Sequence, residues 1–178
     1  MLNTPYFDAL FLPEAPGEWL LLHTRSRQEK AVAEALDARG IRYFLPLATH
    51  QRTYGHRKAQ VDLPLFPGYV FLRGSLDEAY EADRTSRVAQ IIRVQDQRKL
   101  TWELRNLAIA LAEKVPLDPF PFLQRGVLVE VRSGPLKGLQ GVVESREKRD
   151  RLILQVEILG RATSMEIDAA LLQVVDNQ

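Results

Sequence analysis

Residues 116–122 read PLDPFPF, with three prolines in seven positions. Proline fixes its own φ, removes a backbone donor and pushes the preceding residue out of helical conformation, so no helix or central strand passes through such a stretch. The chain is therefore predicted to split here, and the two sides differ in texture. The N-terminal side alternates strand and helix patterns. The C-terminal side holds five short strand-like runs within about 50 residues, separated by glycine-containing turns, which suits a small barrel. The expected organisation is a loose extension over 1–17, an α+β domain over 18–114, a proline-rich linker over 115–124 and a β-barrel over 125–178.

Within the first domain, WLLLHT (Trp19–Thr24) reads as a buried strand. Ser26 and Glu29 stand at capping-box spacing ahead of a helix with Val32, Ala35, Leu36 and Arg39 on one face and Gly40 as its C-terminal stop. IRYFLPLA (Ile41–Ala48) is the next strand, and THQRTYGHRKAQVDL reads as a hairpin turning near Tyr54-Gly55. LFPGYVFL follows: Pro67 suits a strand entry, Gly68 a corner, and alternation sends Tyr69, Phe71 and Arg73 to one face and Val70 and Leu72 to the other. Ser75 and Glu78 predict a second capping box and a helix to about Arg84; Val88–Val94 is a strand and Thr101–Lys114 a helix with Leu104, Leu107, Ala108 and Leu111 in register. Beyond the prolines, strands are expected at Val127–Arg132, Gln140–Glu147, Arg151–Leu159, Thr163–Ile167 and Leu172–Val175.

Composition excludes several functions. The absence of cysteine removes disulfides, thiol nucleophiles and cysteine–zinc sites and fits a reducing cytoplasm. The three histidines, His23, His50 and His56, show no ligand spacing, so no metal is expected. No nucleophile elbow, Walker A or dinucleotide fingerprint occurs, and GPLKG (Gly134–Gly138) is a turn. No catalytic residue, enzyme activity or cofactor is expected. No apolar run approaches the ~20 residues that span a bilayer, and the first 17 residues lack the basic start and cleavage site of a signal peptide.

With a net charge of only +1, contact with nucleic acid has to come from local clustering. Between Asp37 and Asp62 no acidic residue occurs, while Arg39, Arg42, Arg52, Arg57 and Lys58 do; Arg25, Arg27 and Lys30 stand at the start of the first helix. Such side chains contact phosphates. A solvated hairpin would carry the same charges. Both faces of the Tyr69–Arg73 strand are apolar, and one of them is a candidate docking patch.

Taken in order, W-x-L-x-x-T, R-x-R-x-E-K (Arg25–Lys30), F-L-P (Phe44–Pro46), the basic hairpin Arg52–Lys58 and PLFPGYVF (Pro64–Phe71) resemble the NusG N-terminal domain. VEVRSGPLKGLQGVV (Val129–Val143) and ILGRATSMEID (Ile158–Asp168) resemble a KOW module, an SH3-like five-stranded barrel. The T-R-x-R-x-E-K pattern, FLPL and the PFPF linker look most like the specialised RfaH- and UpxY-type antiterminators.

The resemblance implies a monomeric, non-enzymatic elongation and antitermination factor that bridges the RNA polymerase cleft and suppresses pausing, serving long operons. Phe66, Tyr69 and Phe71, helped by His23, would face outward and grip the clamp helices of the largest subunit. Arg25, Arg27, Lys30, Arg52, Arg57 and Lys58 would lie near the non-template strand or upstream duplex. Leu159 and Arg161 would contact a small-subunit ribosomal protein or Rho. A gate-loop contact to the second-largest subunit would need a His-Thr-Thr-type motif, which the Arg84–Ser86 region lacks. The competing expectation is a KOW-type RNA-binding or ribosome-associated protein.

Overall fold

The structure is a computed structural model that describes residues 7–12, 14–54, 57–120, 126–144 and 150–175; the side chains of Phe7, Asp8, Arg52, Tyr54, Arg57, 118–120, Glu144 and Asp150 lie outside the description. The chain is of mixed α+β class and divides into two compact units, Met1–Thr101 and Trp102–Gln178.

The first unit opens with a one-turn helix, α1 (Phe7–Leu10), followed by β1 (Glu18–Thr24), α2 (Glu29–Asp37) and β2 (Tyr43–Phe44). Pro46 ends β2, and the chain resumes as β3 (Leu47–Tyr54) and β4 (Arg57–Pro64), a separate two-stranded ribbon. Then come β5 (Tyr69–Gly74), α3 (Leu76–Asp83), β6 (Val88–Arg93) and α4 (Gln97–Ala112). The four-stranded antiparallel sheet has the order β2-β5-β1-β6, so β1 and β5 are its inner strands.

Alternation along β1 and β5 gives this sheet two apolar faces. Leu20, Leu22, Val70 and Leu72 point to one side, where they pack with Val32, Ala33 and Leu36 of α2 and Ala79 and Ala82 of α3. Gly40, at φ 66°, stops the preceding turn in the left-handed region where glycine meets no steric penalty. The opposite side carries three cross-strand pairs, Trp19 with Arg73, Leu21 with Phe71 and His23 with Tyr69.

Residues 10–12 and 14–17, expected within a loose extension over 1–17, lie against the sheet. Leu10, Phe11 and Ala15 are buried, and Phe11 stacks on Trp19 (centroids 5.9 Å) and meets Phe44 edge-on (5.3 Å). Arg73, itself buried, donates through Nη1 to the Leu10 carbonyl (3.0 Å) and through Nη2 to the Ala15 carbonyl (2.8 Å). Where this strap joins β1, a Cβ on Gly17 would lie 2.6 Å from the Gly74 backbone, so only glycine passes there.

Helix α4 begins a turn earlier than the periodicity predicts, because Gln97 extends the sheet. Its amide accepts from Trp19 N–H (2.6 Å) and donates to Trp19 C=O (2.9 Å), as the next residue of β6 would. Thr101 accepts from the Trp19 indole N–H at 2.9 Å.

In the second unit, β7 (Asp118–Phe120), β8 (Val127–Val131), β9 (Gln140–Glu144), β10 (Asp150–Val156), β11 (Arg161–Ile167) and β12 (Leu172–Val174) form one antiparallel sheet. Its order, β12-β8-β9-β10-β11-β7, contains the five expected barrel strands, and β7 adds the backbone of the proline-dense segment to the β11 edge. Leu139, Leu152, Ile153 and Val156 are fully buried here. The α4 residues of this unit carry buried polar groups as well as the expected leucines: Asn106 accepts from Gln140 N–H (2.8 Å) and Glu103 from Glu157 N–H (3.1 Å).

Candidate functional site

The corner at Pro67–Gly68 shapes the open part of the ring-bearing face. Tyr69 N–H reaches the Phe66 carbonyl (3.3 Å) and Gly68 has φ 90°, the arrangement of a type II turn with proline second and glycine third. Two further bonds pin it: Gly68 N–H donates to Glu29 Oε1 (2.7 Å), and its carbonyl accepts from Thr24 N–H (2.8 Å). Glu29 is buried and committed to this corner. The predicted Ser26–Glu29 capping box is absent: Gln28 and not Ser26 is the N-cap of α2, with no side-chain cap bond, and the Glu29 carboxylate is taken by Gly68. The Ser75–Glu78 box, whose glutamate has no such competitor, forms with both bonds in place.

Beyond the corner, Tyr69 stacks on His23 with centroids 5.0 Å apart and an interplanar angle of 21°. Both are half-buried, as is Ile92 on the neighbouring strand, and Pro67 and Gln90 beside them are exposed. Phe66 and Phe71 behave differently, and the expectation that they face outward is corrected. Phe71 is 0% exposed and Phe66 is 3% exposed. Phe71 lies on an inner strand opposite Phe44, with ring centroids 6.4 Å apart. Alternation assigned its face properly; what the strand pattern could not convey is that this part of the face is covered. Among the described residues of this face, the His23–Tyr69 end is the part left partly exposed.

Arg73 sits at the closed end, its guanidinium 5.4 Å from the Trp19 ring centroid. Burial lowers its pKa, with a smaller contribution from the Arg42 charge. Its ordinary value is so high that it stays a cation at any physiological pH.

The basic residues fall into two groups. Arg25, Arg27 and Lys30 are exposed on the β1–α2 connection. The α3–β6 loop joins them there: Arg25 N–H donates to the Arg87 carbonyl (2.8 Å), and Arg87 Nε donates to Gln28 Oε1 (3.2 Å). Arg84 and Arg87 are exposed on this second loop, with Arg84 paired to Glu81 at 2.7 Å. Arg27 (φ 60°) and Ser86 (φ 57°) both hold left-handed backbone, a strained state for a side-chain-bearing residue. Arg84 and Arg87 had no signal in the sequence, because only the pairing of β1 with β6 brings segments some 60 positions apart together. Exposed guanidinium groups on two adjacent loops suit contact with phosphates.

The second group lies on the ribbon, where Thr53 pairs with Lys58, Arg52 with Ala59 and Tyr54 with Arg57. Lys58 is exposed; the Arg52 and Arg57 side chains, like His56 at the ribbon tip, lie outside the described residues. In the second unit, Leu159 closes a short 3₁₀ turn, half-buried, and the exposed Arg161 follows Gly160 at φ 57°. Among the described residues no group of three or more His, Cys, Asp or Glu could hold a metal ion, and no helix is long and apolar enough to cross a membrane.

A family model described as transcription termination factor nusG matches residues 17–105, half of the chain. The chain belongs to the NusG family. The match covers the four-stranded sheet, the ribbon and α2 and α3, and it begins at the point where the strap ends. Curated relatives are named transcription termination/antitermination protein NusG. The Deinococcus radiodurans protein is 29% identical over 85% of this chain and 95% of its own length, and the Helicobacter pylori protein 25% over 84% and 94%. These are transcription factors and not enzymes. Solved structures similar to this chain include a Thermotoga maritima NusG whose description concerns domain interaction (TM-score 0.44, 23% identity, 89% of this chain and 97% of that one) and an MjSpt4:Spt5 complex (TM-score 0.27, 14% identity, 90% and 99%).

Proposed function

We propose that this NusG-family chain acts on elongating RNA polymerase, docking the His23–Tyr69 end of its sheet on the clamp helices of the largest subunit. Bound there it bridges the cleft, favours the closed clamp and suppresses pausing or termination. The stacked, half-buried pair His23–Tyr69, inside the segment matched by the family model, carries this reading. A pinned aromatic anchor gives much contact area while losing little entropy on binding, and such residues dominate helix-recognising interfaces. Phe71, two residues along the same strand face, is fully buried, and Phe66 supplies the turn's first carbonyl.

On this reading Arg25, Arg27 and Lys30, joined by Arg84 and Arg87, run beside the non-template strand or upstream duplex, and Arg52, Arg57 and Lys58 of the ribbon extend the track. The module over 125–178, with Leu159 and Arg161 on its exposed turn, is the one offered to a small-subunit ribosomal protein or Rho. The proline-dense connection and the T-R-x-R-x-E-K segment favour a specialised antiterminator serving particular long operons in the cytoplasm.

Co-purification with core RNA polymerase tests the central part. Wild-type protein is expected to be retained and the His23→Ala, Tyr69→Ala double variant lost while it still unfolds cooperatively. Equal retention of both would refute the docking surface.

A further inference from the structure

The strap over the closed end of the ring-bearing face precedes the first residue matched by the family model. Phe11 fills the notch between Trp19 and Phe44, and the buried guanidinium of Arg73 holds two main-chain carbonyls of the strap rather than its side chains. Arg42 adds a third such bond, to the Pro16 carbonyl. Leu10, Phe11 and Ala15 are the strap's buried side chains among the described residues, and Leu12 is exposed. Its seat is continuous with the open end, since Phe71 faces Phe44 on one side and lies two residues from Tyr69 on the same strand face.

Dimensions make this continuity consequential. Residues two apart on a strand are separated by roughly 7 Å. A helix with its side chains is about 10–12 Å across, and packed helices lie about 8–10 Å apart. A two-helix hairpin with one helix on Tyr69 therefore extends its second helix over the neighbouring ground, and on one side that ground is the seat of the strap.

We propose that residues 10–12 and 14–16 form a displaceable strap occupying part of the docking face, and that a helical hairpin seated on His23 and Tyr69 lifts it and takes over the ground beside Phe44. The proposal rests on the docking reading above. The strap and the partner then compete for one apolar surface, and the closed form lowers the apparent affinity by the fraction of molecules in which the strap is seated.

The absence of cysteine makes the test direct. Ala15→Cys places a unique thiol in the strap beneath Arg73, in a change small enough to leave packing intact. In the free protein, modification by a thiol reagent is expected to be slow. In the Phe11→Ala, Ala15→Cys double variant it is expected to be fast without any partner. With saturating core polymerase, modification of the single variant is expected to accelerate at least about tenfold. Unchanged or slower modification while the protein co-elutes with polymerase overturns the strap proposal, as does slow modification of the double variant. Failure to co-elute overturns the docking reading itself, so the two failures are told apart.

Discussion

The two ends of one sheet face use the same kinds of residue for opposite purposes. At the closed end, Trp19, Phe44, Phe71 and Phe11 meet ring to ring, and Arg73 is buried with carbonyls as partners. At the open end, Tyr69 and His23 stack on each other yet keep one side toward solvent. Only two residues along β5 separate these environments. A ring contributes to stability when other parts of its own chain cover it, and to recognition when they leave it uncovered. What divides the two here is what lies against each end, the strap and the start of α4 at Trp19 and the Pro67–Gly68 corner beside Tyr69, not the composition of the strand.

Substitutions at the two ends should break that symmetry. Phe71→Ala removes a fully buried ring and is expected to cost about 3–5 kcal/mol in chemical unfolding. Tyr69→Ala should cost clearly less and act on polymerase affinity instead; equal destabilisation by both would show that the two ends do not differ. Phe11→Ala, at the strap, is expected to cost about 2 kcal/mol, read in chemical unfolding.

The corner is next in size. Gly68→Ala forces a side chain to φ 90° and is expected to cost about 1–3 kcal/mol, read as a lowered thermal midpoint. The smallest effect contrasts the two serine motifs. Ser75→Ala should cost about 1 kcal/mol, the ordinary loss of an N-cap. Ser26→Ala should fall within about 0.5 kcal/mol, as a surface change does. A cost at Ser26 matching that at Ser75 would mean that Ser26, and not Gln28, caps α2.

Those two motifs also show what was legible in advance. Local patterns with no long-range competitor came out as written: β1, β5, β6 and the Ser75–Glu78 box stand where alternation and capping place them, and the five expected strands of the second unit are present. The one expected over Arg151–Leu159, however, ends at Val156 and gives way to a 3₁₀ turn over Glu157–Leu159. Ser26–Glu29 has the same spacing as Ser75–Glu78, but Gly68 N–H, 39 positions away, takes its carboxylate. The strap was illegible for a similar reason, since Phe11 finds its partners only after β1 and β2 have joined the sheet. Glu103 and Asn106 lie off the apolar register of the expected helix and Gln97 ahead of its expected start, yet their partners are main-chain groups of Glu157, Gln140 and Trp19. At the candidate site, strand parity identified the right face, and distant segments decided how much of it stays uncovered.

The most direct test is photocrosslinking. Replacement of Tyr69 by benzoylphenylalanine should crosslink to the clamp helices of the largest polymerase subunit, whereas the same replacement at Tyr80, exposed on α3, should not. Crosslinks from position 80 with none from position 69 would contradict the account.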